Sequence, residues 1–213
     1  MDQSLKEVIT QRVERTAEAL RKNNMEAVCL SSAEEVVPYI KSRLKAGDTV
    51  AAGGSMTLAA TGVMSLLASG EYNYLNRDTE GLTPEQRGEI MRKAFFADAY
   101  FASANAISED GEIHEVDGNG NRVAAIIYGP QNVFIVAGYN KIVENAEEAF
   151  KRISTYASPA NAKRLSCKTP CAVTGKCIDC QSDARICCDY VTLKHQRTKN
   201  RICVLLVAEE LGY

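Results

Sequence analysis

The sequence predicts an α/β protein: a mainly parallel sheet with flanking helices and an inserted hairpin. Three observations predict it. Short apolar runs with little polar alternation, such as Ala27-Val28-Cys29-Leu30, Thr49-Val50-Ala51-Ala52 and residues 99–104, 133–137 and 202–208, read as strands buried on both faces. Segments of helical periodicity lie between them, which is the strand–helix–strand rhythm of a Rossmann-like sheet. From Asn105 the texture changes, because Ile107, Ile113 and Val116 alternate with polar residues around two turn clusters.

Each element has its own signal. Leu5, Val8, Ile9, Val13, Ala17 and Leu20 recur at helical spacing and predict an amphipathic helix over about 3–23, ending near Asn23-Asn24. After the run 27–30, Ser31 and Ser32 cap a helix through Leu44, and Gly47-Asp48 turns the chain into 49–52. Gly53-Gly54-Ser55 breaks that strand, and 57–69 reads as a helix closed by Gly70. A weak strand over 72–75 and a polar connection over 77–81 follow. Thr83-Pro84-Glu85-Gln86 combines a cap, a proline at the first helical position and a capping-box glutamine, predicting a helix to about Ala97. Beyond the strand 99–104, Glu109-Asp110-Gly111 and Asp117-Gly118-Asn119-Gly120-Asn121 read as turns of the inserted hairpin. Gly138-Tyr139-Asn140-Lys141 turns the strand 133–137 into a long helix over 142–156, which Ser158-Pro159 ends before a short helix over 161–165. An apolar strand beyond the cysteines makes 1–213 a single domain, with 166–201 a cysteine-rich loop before its last strand.

Composition narrows the function classes. A chain of 213 residues that is 46% hydrophobic can close a substantial core. Its longest apolar runs, 123–128 and 202–208, fall far short of the ~20 residues of a spanning helix, so no membrane span is expected. Met1-Asp2-Gln3-Ser4-Leu5-Lys6-Glu7 carries no apolar signal region, which predicts a cytoplasmic location. A net charge of −2 argues against a globally basic nucleic-acid binder.

Gly53-Gly54-Ser55-Met56-Thr57 joins a strand to a helix start, where free amides, glycines and two hydroxyls can hold an anion; the same residues also suit a tight turn with a serine cap. In an open α/β sheet, ligands dock beyond the carboxyl ends of the strands. Arg122 and Lys141 can clamp a carboxylate or phosphate there, with Asp117 or Glu109 as acid or base. Ordinary hairpin turns with solvated cations account for the same pattern.

The cysteines are lopsided: Cys29 stands alone, and Cys167, Cys171, Cys177, Cys180, Cys187, Cys188 and Cys203 fall in the last quarter. Cys29 and Cys203 sit in apolar runs and read as core thiols. Cys171, Cys177, Cys180 and Cys187 form one Cys-x-x-Cys knuckle with two further thiols in reach, a soft donor set that suits zinc or an iron–sulfur cluster. The spacing meets neither a zinc-ribbon nor a ferredoxin template. Disulfides are disfavoured in a reducing compartment, whereas reactive thiolates would gain from nine Lys or Arg against three Asp over 163–201, a local +6 that leaves −8 elsewhere. That basic stretch has Tyr190 alone for stacking, so a nucleic-acid partner is not expected. His114 can face the same mouth as Glu109 but reads more simply as a hydrogen-bonded surface residue, and His195 can replace one thiolate; neither is taken as a site residue.

The stretches Gly53-Gly54-Ser55-Met56-Thr57-Leu58, Asn105-Ala106-Ile107 with Glu109-Asp110-Gly111, 117–125, Gly129-Pro130 and Gly138-Tyr139-Asn140-Lys141-Ile142-Val143 resemble the lactate-utilisation (LUD) domain family, in the family's order and across about 1–165. Thr169-Pro170-Cys171 through Arg185-Ile186-Cys187 is similar to a tail in one branch of that family. The resemblance implies a fold like that of ribose-5-phosphate isomerase, glucosamine-6-phosphate deaminase and CoA-transferases, and a link to oxidation of lactate or a similar hydroxy acid. That wider fold places carboxylates and lysines at the sheet's carboxyl edge, which makes Glu109, Asp117 and Lys141 the catalytic candidates.

The resulting expectation is a binder of a small anionic metabolite, held by Gly53, Gly54, Ser55, Thr57, Asn105, Asn121, Arg122 and Asn140, with a cysteine-bound metal beside it and redox partner subunits. Two alternatives stand beside it. One is a sugar-phosphate isomerase, deaminase or CoA-transferase-like enzyme with a structural cysteine loop; the other is a non-catalytic assembly or regulatory subunit.

Overall fold

In the computed structural model, which describes residues 2–213, the Asp2 carboxylate accepts from the amides of Ser4 (3.0 Å) and Leu5 (3.3 Å). Met1, counted in the expected domain and leader reading, lies outside the described residues. The cap satisfies two of the donors a helix start leaves open. From it α1 (Gln3–Lys22) runs with Ile9, Val13, Ala17 and Leu20 buried, the face its periodicity predicts. There follow β1 (Glu26–Leu30), α2 (Val36–Arg43), β2 (Thr49–Ala52), α3 (Met56–Ala60), α4 (Val63–Leu67), β3 (Asn73–Tyr74), α5 (Pro84–Lys93) and β4 (Ala99–Ala102). The expected single helix over 57–69 is broken at Gly62, which takes a left-handed φ of +76°. The capping box at Thr83 and Gln86 forms as the sequence predicts.

The second half holds β5 (Ala106–Ser108), β6 (Ile113–Asp117), α6 (Asn121–Tyr128), β7 (Asn132–Gly138), β8 (Ile142–Val143), α7 (Ala146–Arg152), α8 (Ser158–Arg164), α9 (Pro170–Thr174), β9 (Asp189–Leu193) and β10 (Ile202–Val207). Six strands form a wholly parallel sheet in the order β1-β10-β7-β4-β2-β3. Its inner strands are buried on both faces. Ile202, Val204 and Leu206 of β10 join the core under α1 and α6, whereas Cys203, Leu205 and Val207 join the core under α2, α3 and α4. Phe101 and Phe134 stack at 5.0 Å across adjacent strands of that second core.

A smaller sheet, β8-β5-β6-β9, sits beside the first. The expected hairpin is β5 and β6, paired antiparallel with Ile107 opposite Ile113. Its second turn cluster, however, opens a helix: Gly120 at φ +71° starts α6, and the Asp117 carboxylate accepts from the amides of Asn119 (3.2 Å) and Val123 (3.3 Å). The cysteine-rich segment is more than a loop, because α9 lies in it and β9 pairs along all of β6.

The long helix expected over 142–156 begins only at Ala146, behind an Asn145 cap, since 142–143 is strand. Ser158-Pro159 does not end it. A π-helical turn over Ile153–Ala157 lets the Ser158 amide reach back to the Ile153 carbonyl, and the extra residue accommodates Pro159, which has no amide to donate, at the start of α8. Cys203 is buried as expected, but Cys29 is exposed, because β1 is an edge strand whose outer surface is only partly covered.

The tip of the β5–β6 hairpin leans on the end of α1. Gly111 adopts φ +78°, and a Cβ there would lie 2.4 Å from the backbone of Ala19, while Asn23 Nδ2 donates to the Asp110 and Gly111 carbonyls. Gly111→Ala is therefore expected to cost at least ~2 kcal/mol in urea unfolding, from the left-handed backbone and the overlap together. Gly70→Ala, at φ +86° with open space around it, carries only the backbone cost and serves as the comparison.

Candidate functional site

β2 and β4 are neighbours, yet the chain leaves them in opposite directions: β2 leads outward to β3, and β4 leads across the sheet toward β7. Loops that part in this way leave a crevice beyond the carboxyl ends of the strands. A cleft of about 250 Å³ opens there. Gly54, Ser55 and Thr57 line it from the loop after β2, Asn105 from the end of β4, Asp117, Asn121 and Arg122 from the start of α6, and Lys141 from the turn after β7.

Three expected site residues lie outside it. Glu109 is at the hairpin tip, where it pairs with Arg12 (2.7 Å) and Arg15 (3.4 Å) of α1. A hairpin separates its turn from its open end by its own length, about 3.3 Å per residue, so Asn105 and Asp117 reach the cleft and Glu109 does not. Asn140 accepts from the Leu211 amide (3.0 Å) and donates to the Gly212 carbonyl (3.2 Å), pinning the segment after β10. Gly53 makes room for the Arg122 stem: a Cβ there would stand 2.8 Å from Arg122 Cδ.

The two hydroxyls of the glycine loop are engaged. Ser55 Oγ accepts from the Leu58 amide (3.2 Å), and Thr57 Oγ1 donates to the Leu211 carbonyl (3.1 Å), so these side chains serve as cap and anchor. Arg122 is also committed. Its guanidinium donates to Glu115 Oε2 (2.5 Å), the Val116 carbonyl (2.8 Å) and Asn105 Oδ1 (3.3 Å), with Asp117 Oδ2 at 3.5 Å. It does not form the expected clamp with Lys141. Glu115 is wholly buried, and its Oε1 has no partner. Burial pushes its carboxyl up, and the Arg122 guanidinium pulls it back.

Lys141 is 3% exposed. Its Nζ donates to Ser103 Oγ (3.0 Å), the Ala104 carbonyl (3.1 Å) and the main-chain oxygen of Tyr213 (3.1 Å), the last residue. Burial first, then the positive charge of Arg152, lowers its pKa to about 7, against the opposing pull of Glu115. A lysine so placed changes protonation near neutrality.

The cations turned toward the opening are ones the sequence reading passed over. Arg77 lies at the end of β3 with its NH2 against Gly54, and its carboxylate neighbour, Asp78, is 3.8 Å away. With the Asn121 amide oxygen facing it, Arg77 NH1 donates at 3.1 Å. Arg164, exposed on α8, is held by Asn161 Oδ1 (2.8 and 3.2 Å). Glu115 was missed as well. The signal for Arg77 was its place just past a strand at the carboxyl edge of the sheet, and for Glu115 it was a charge inside an otherwise buried strand.

Cys171, Cys177, Cys180 and Cys187 line one small cavity of about 20 Å³. The Asp179 amide donates to Cys177 Sγ (3.4 Å), and Arg185 donates to the Cys180 (2.6 Å) and Cys187 (2.7 Å) carbonyls while pairing with Asp179 (2.7 Å). Among the described residues, no three His, Cys, Asp or Glu side chains stand as a group that could hold a metal ion. The four thiols thus share a pocket without converging. Cys187 and Ser158 border both this pocket and the cleft. His114 is buried against Phe150 with Nδ1 3.2 Å from Thr192 Oγ1, and His195 is exposed beside Asn24, so neither borders the cleft or the thiol pocket.

Residues 13–207 match the family described as LUD domain. Among solved structures, the chain is similar to a DUF162 family protein from Deinococcus radiodurans, at 13% identity and a TM-score of 0.52, over 93% of this chain and 97% of that one. That likeness shows the fold. A shorter match, to eIF2B beta from Chaetomium thermophilum, has 16% identity and a TM-score of 0.35 over 55% of this chain and 41% of that one. No curated protein matches.

Arg122→Met leaves Glu115 buried without its counter-charge. The expected loss is about 3–5 kcal/mol in urea unfolding, and adding Glu115→Gln is expected to restore part of it.

Proposed function

Because the chain belongs to the LUD domain family, we propose that its switch-point cleft binds a small anionic metabolite, a carboxylate or phosphate, in the setting of hydroxy-acid oxidation that the family resemblance implies. The observation that carries this reading is the charge balance of the lining. Arg122 is neutralised by Glu115 and Asp117, whereas Arg164 has no carboxylate partner among the described residues and Arg77 meets only Asp78, outside the lining, at 3.8 Å. A polar crevice with unneutralised cations gains most from an anion. Amides and hydroxyls of Asn119, Asn161 and Ser103 supply the uncharged contacts.

The same proposal assigns a soft metal to the thiol pocket. What supports it is the donor set: four cysteines around one cavity, an amide already donating to one sulfur, and Arg185 drawing the loop segments at Cys180 and Cys187 together. The side chains of these four would hold the metal, as zinc or an iron–sulfur cluster, and the latter would supply electron transfer.

Calorimetric titration with lactate, pyruvate and inorganic phosphate tests the anion site. At least one is expected to bind, and Arg77→Ala is expected to weaken it at least ~10-fold, equivalent to ~1.4 kcal/mol, while Arg15→Ala on the far side leaves it unchanged. Absence of binding, or binding indifferent to Arg77→Ala, contradicts the assignment. Anaerobic purification followed by iron, sulfide and zinc analysis tests the metal. Bound metal is expected in the parent protein and is lost in Cys177→Ser/Cys180→Ser; a folded, metal-free parent contradicts it.

A further inference from the structure

The anion site leaves one group without a role: an amine at the floor of the cleft, bordering the space a ligand would fill. We propose that Lys141 is a covalent catalytic residue, its Nζ condensing with the carbonyl of a small oxo acid held in the cleft. The inference rests on the anion-binding reading above and names the class of molecule bound there.

The geometry carries it in three ways. Nζ is fixed from three directions, by Ser103 Oγ, the Ala104 carbonyl and the Tyr213 main-chain oxygen, which holds the amine in one place instead of leaving it to sample many rotamers. An ammonium fills those three acceptors with its three hydrogens. A neutral amine has two hydrogens and a lone pair, and the Ser103 hydroxyl is the one partner of the three that can turn from acceptor to donor. The site therefore accepts either protonation state without orphaning a buried group. Arg152 and Arg122, both committed to protein acceptors, add positive charge beside Nζ, and Glu115 opposes them. A neutral amine is the nucleophilic form, and burial favours it.

The step balances without a further reactant. The Nζ lone pair forms the C–N bond as the carbonyl π pair moves to oxygen. That oxygen leaves as water with the two hydrogens of the amine, giving an imine, which one solvent proton converts to the iminium. An oxo acid places its carboxylate beside its carbonyl, so the cations at the opening hold one end while Lys141 meets the other.

Borohydride trapping tests the proposal, because reduction makes the linkage permanent. The full-length protein is incubated with pyruvate, glyoxylate or 2-oxoglutarate, reduced, and read by intact mass and peptide mapping. One reduced adduct on Lys141 is expected with at least one of the three and none with lactate. The adduct is expected to be lost in Lys141→Arg, and its yield is expected to rise through about pH 7, well below the range in which ordinary lysines lose their proton. Circular dichroism establishes that the variant is folded. Should Lys141→Arg unfold, the mapped position and pH profile of the parent adduct decide the matter. No adduct on Lys141 with any of the three overturns the proposal, as does an adduct yield no greater there than at exposed lysines. Calorimetric binding of the same acids without an adduct sinks the lysine chemistry alone; loss of both sinks the anion site too.

Discussion

Arg122 and Glu115 form a buried ion pair that joins the small sheet to the large one. Glu115 stands in β6, and Arg122 stands in the first turn of α6, the helix that carries the chain back to β7. Two charges out of water are tolerated only if they meet, so the pair fixes how β6 runs into α6. Its secondary contacts set the cleft. Arg122 also holds Asn105 Oδ1 and the Val116 carbonyl, and Gly53 is the size that lets its stem pass. The strand end, the helix start and the glycine loop are thereby brought to one crevice.

That use of Arg122 decides the electrostatics. The residue that looks in sequence like an anion clamp is a structural tie, and the proposed anion reading gives ligand charge to Arg77 and Arg164. The division is physically sensible: the Arg122 guanidinium already gives three hydrogen bonds to protein acceptors and faces two carboxylates, whereas Arg77 faces a carboxylate only at 3.8 Å. Lys141 sits deeper, where burial works against its charge. The cleft therefore grades from exposed Arg164 through half-buried Arg77 to the buried, titratable amine of Lys141.

Much of this was legible in the chain. Strands buried on both faces, the α1 periodicity and the Thr83 capping box are local signals, and the glycine loop after β2 marked the right edge of the sheet. What escaped depends on pairing at a distance. Asp117 to Asn121 has the composition of a hairpin turn, and only the Asp117 cap on α6 makes it a helix start. Glu115 is one charge in a short strand until Arg122, seven residues on, is brought against it. Glu109 looked well placed because sequence does not say which end of a hairpin faces the sheet. Cys29 looked like a core thiol because edge and centre strands share the same apolar pattern. The four cysteines singled out by spacing border one cavity, although spacing alone says nothing of how their sulfurs point.

The central claim is that the switch-point cleft is an anion site. A crystal structure of the protein grown with a saturating small carboxylate tests it most directly. The account predicts the ligand between Gly54, Arg77 and Lys141, with its carboxylate on the Arg77 guanidinium. An empty cleft under those conditions, or a ligand bound elsewhere, would contradict it.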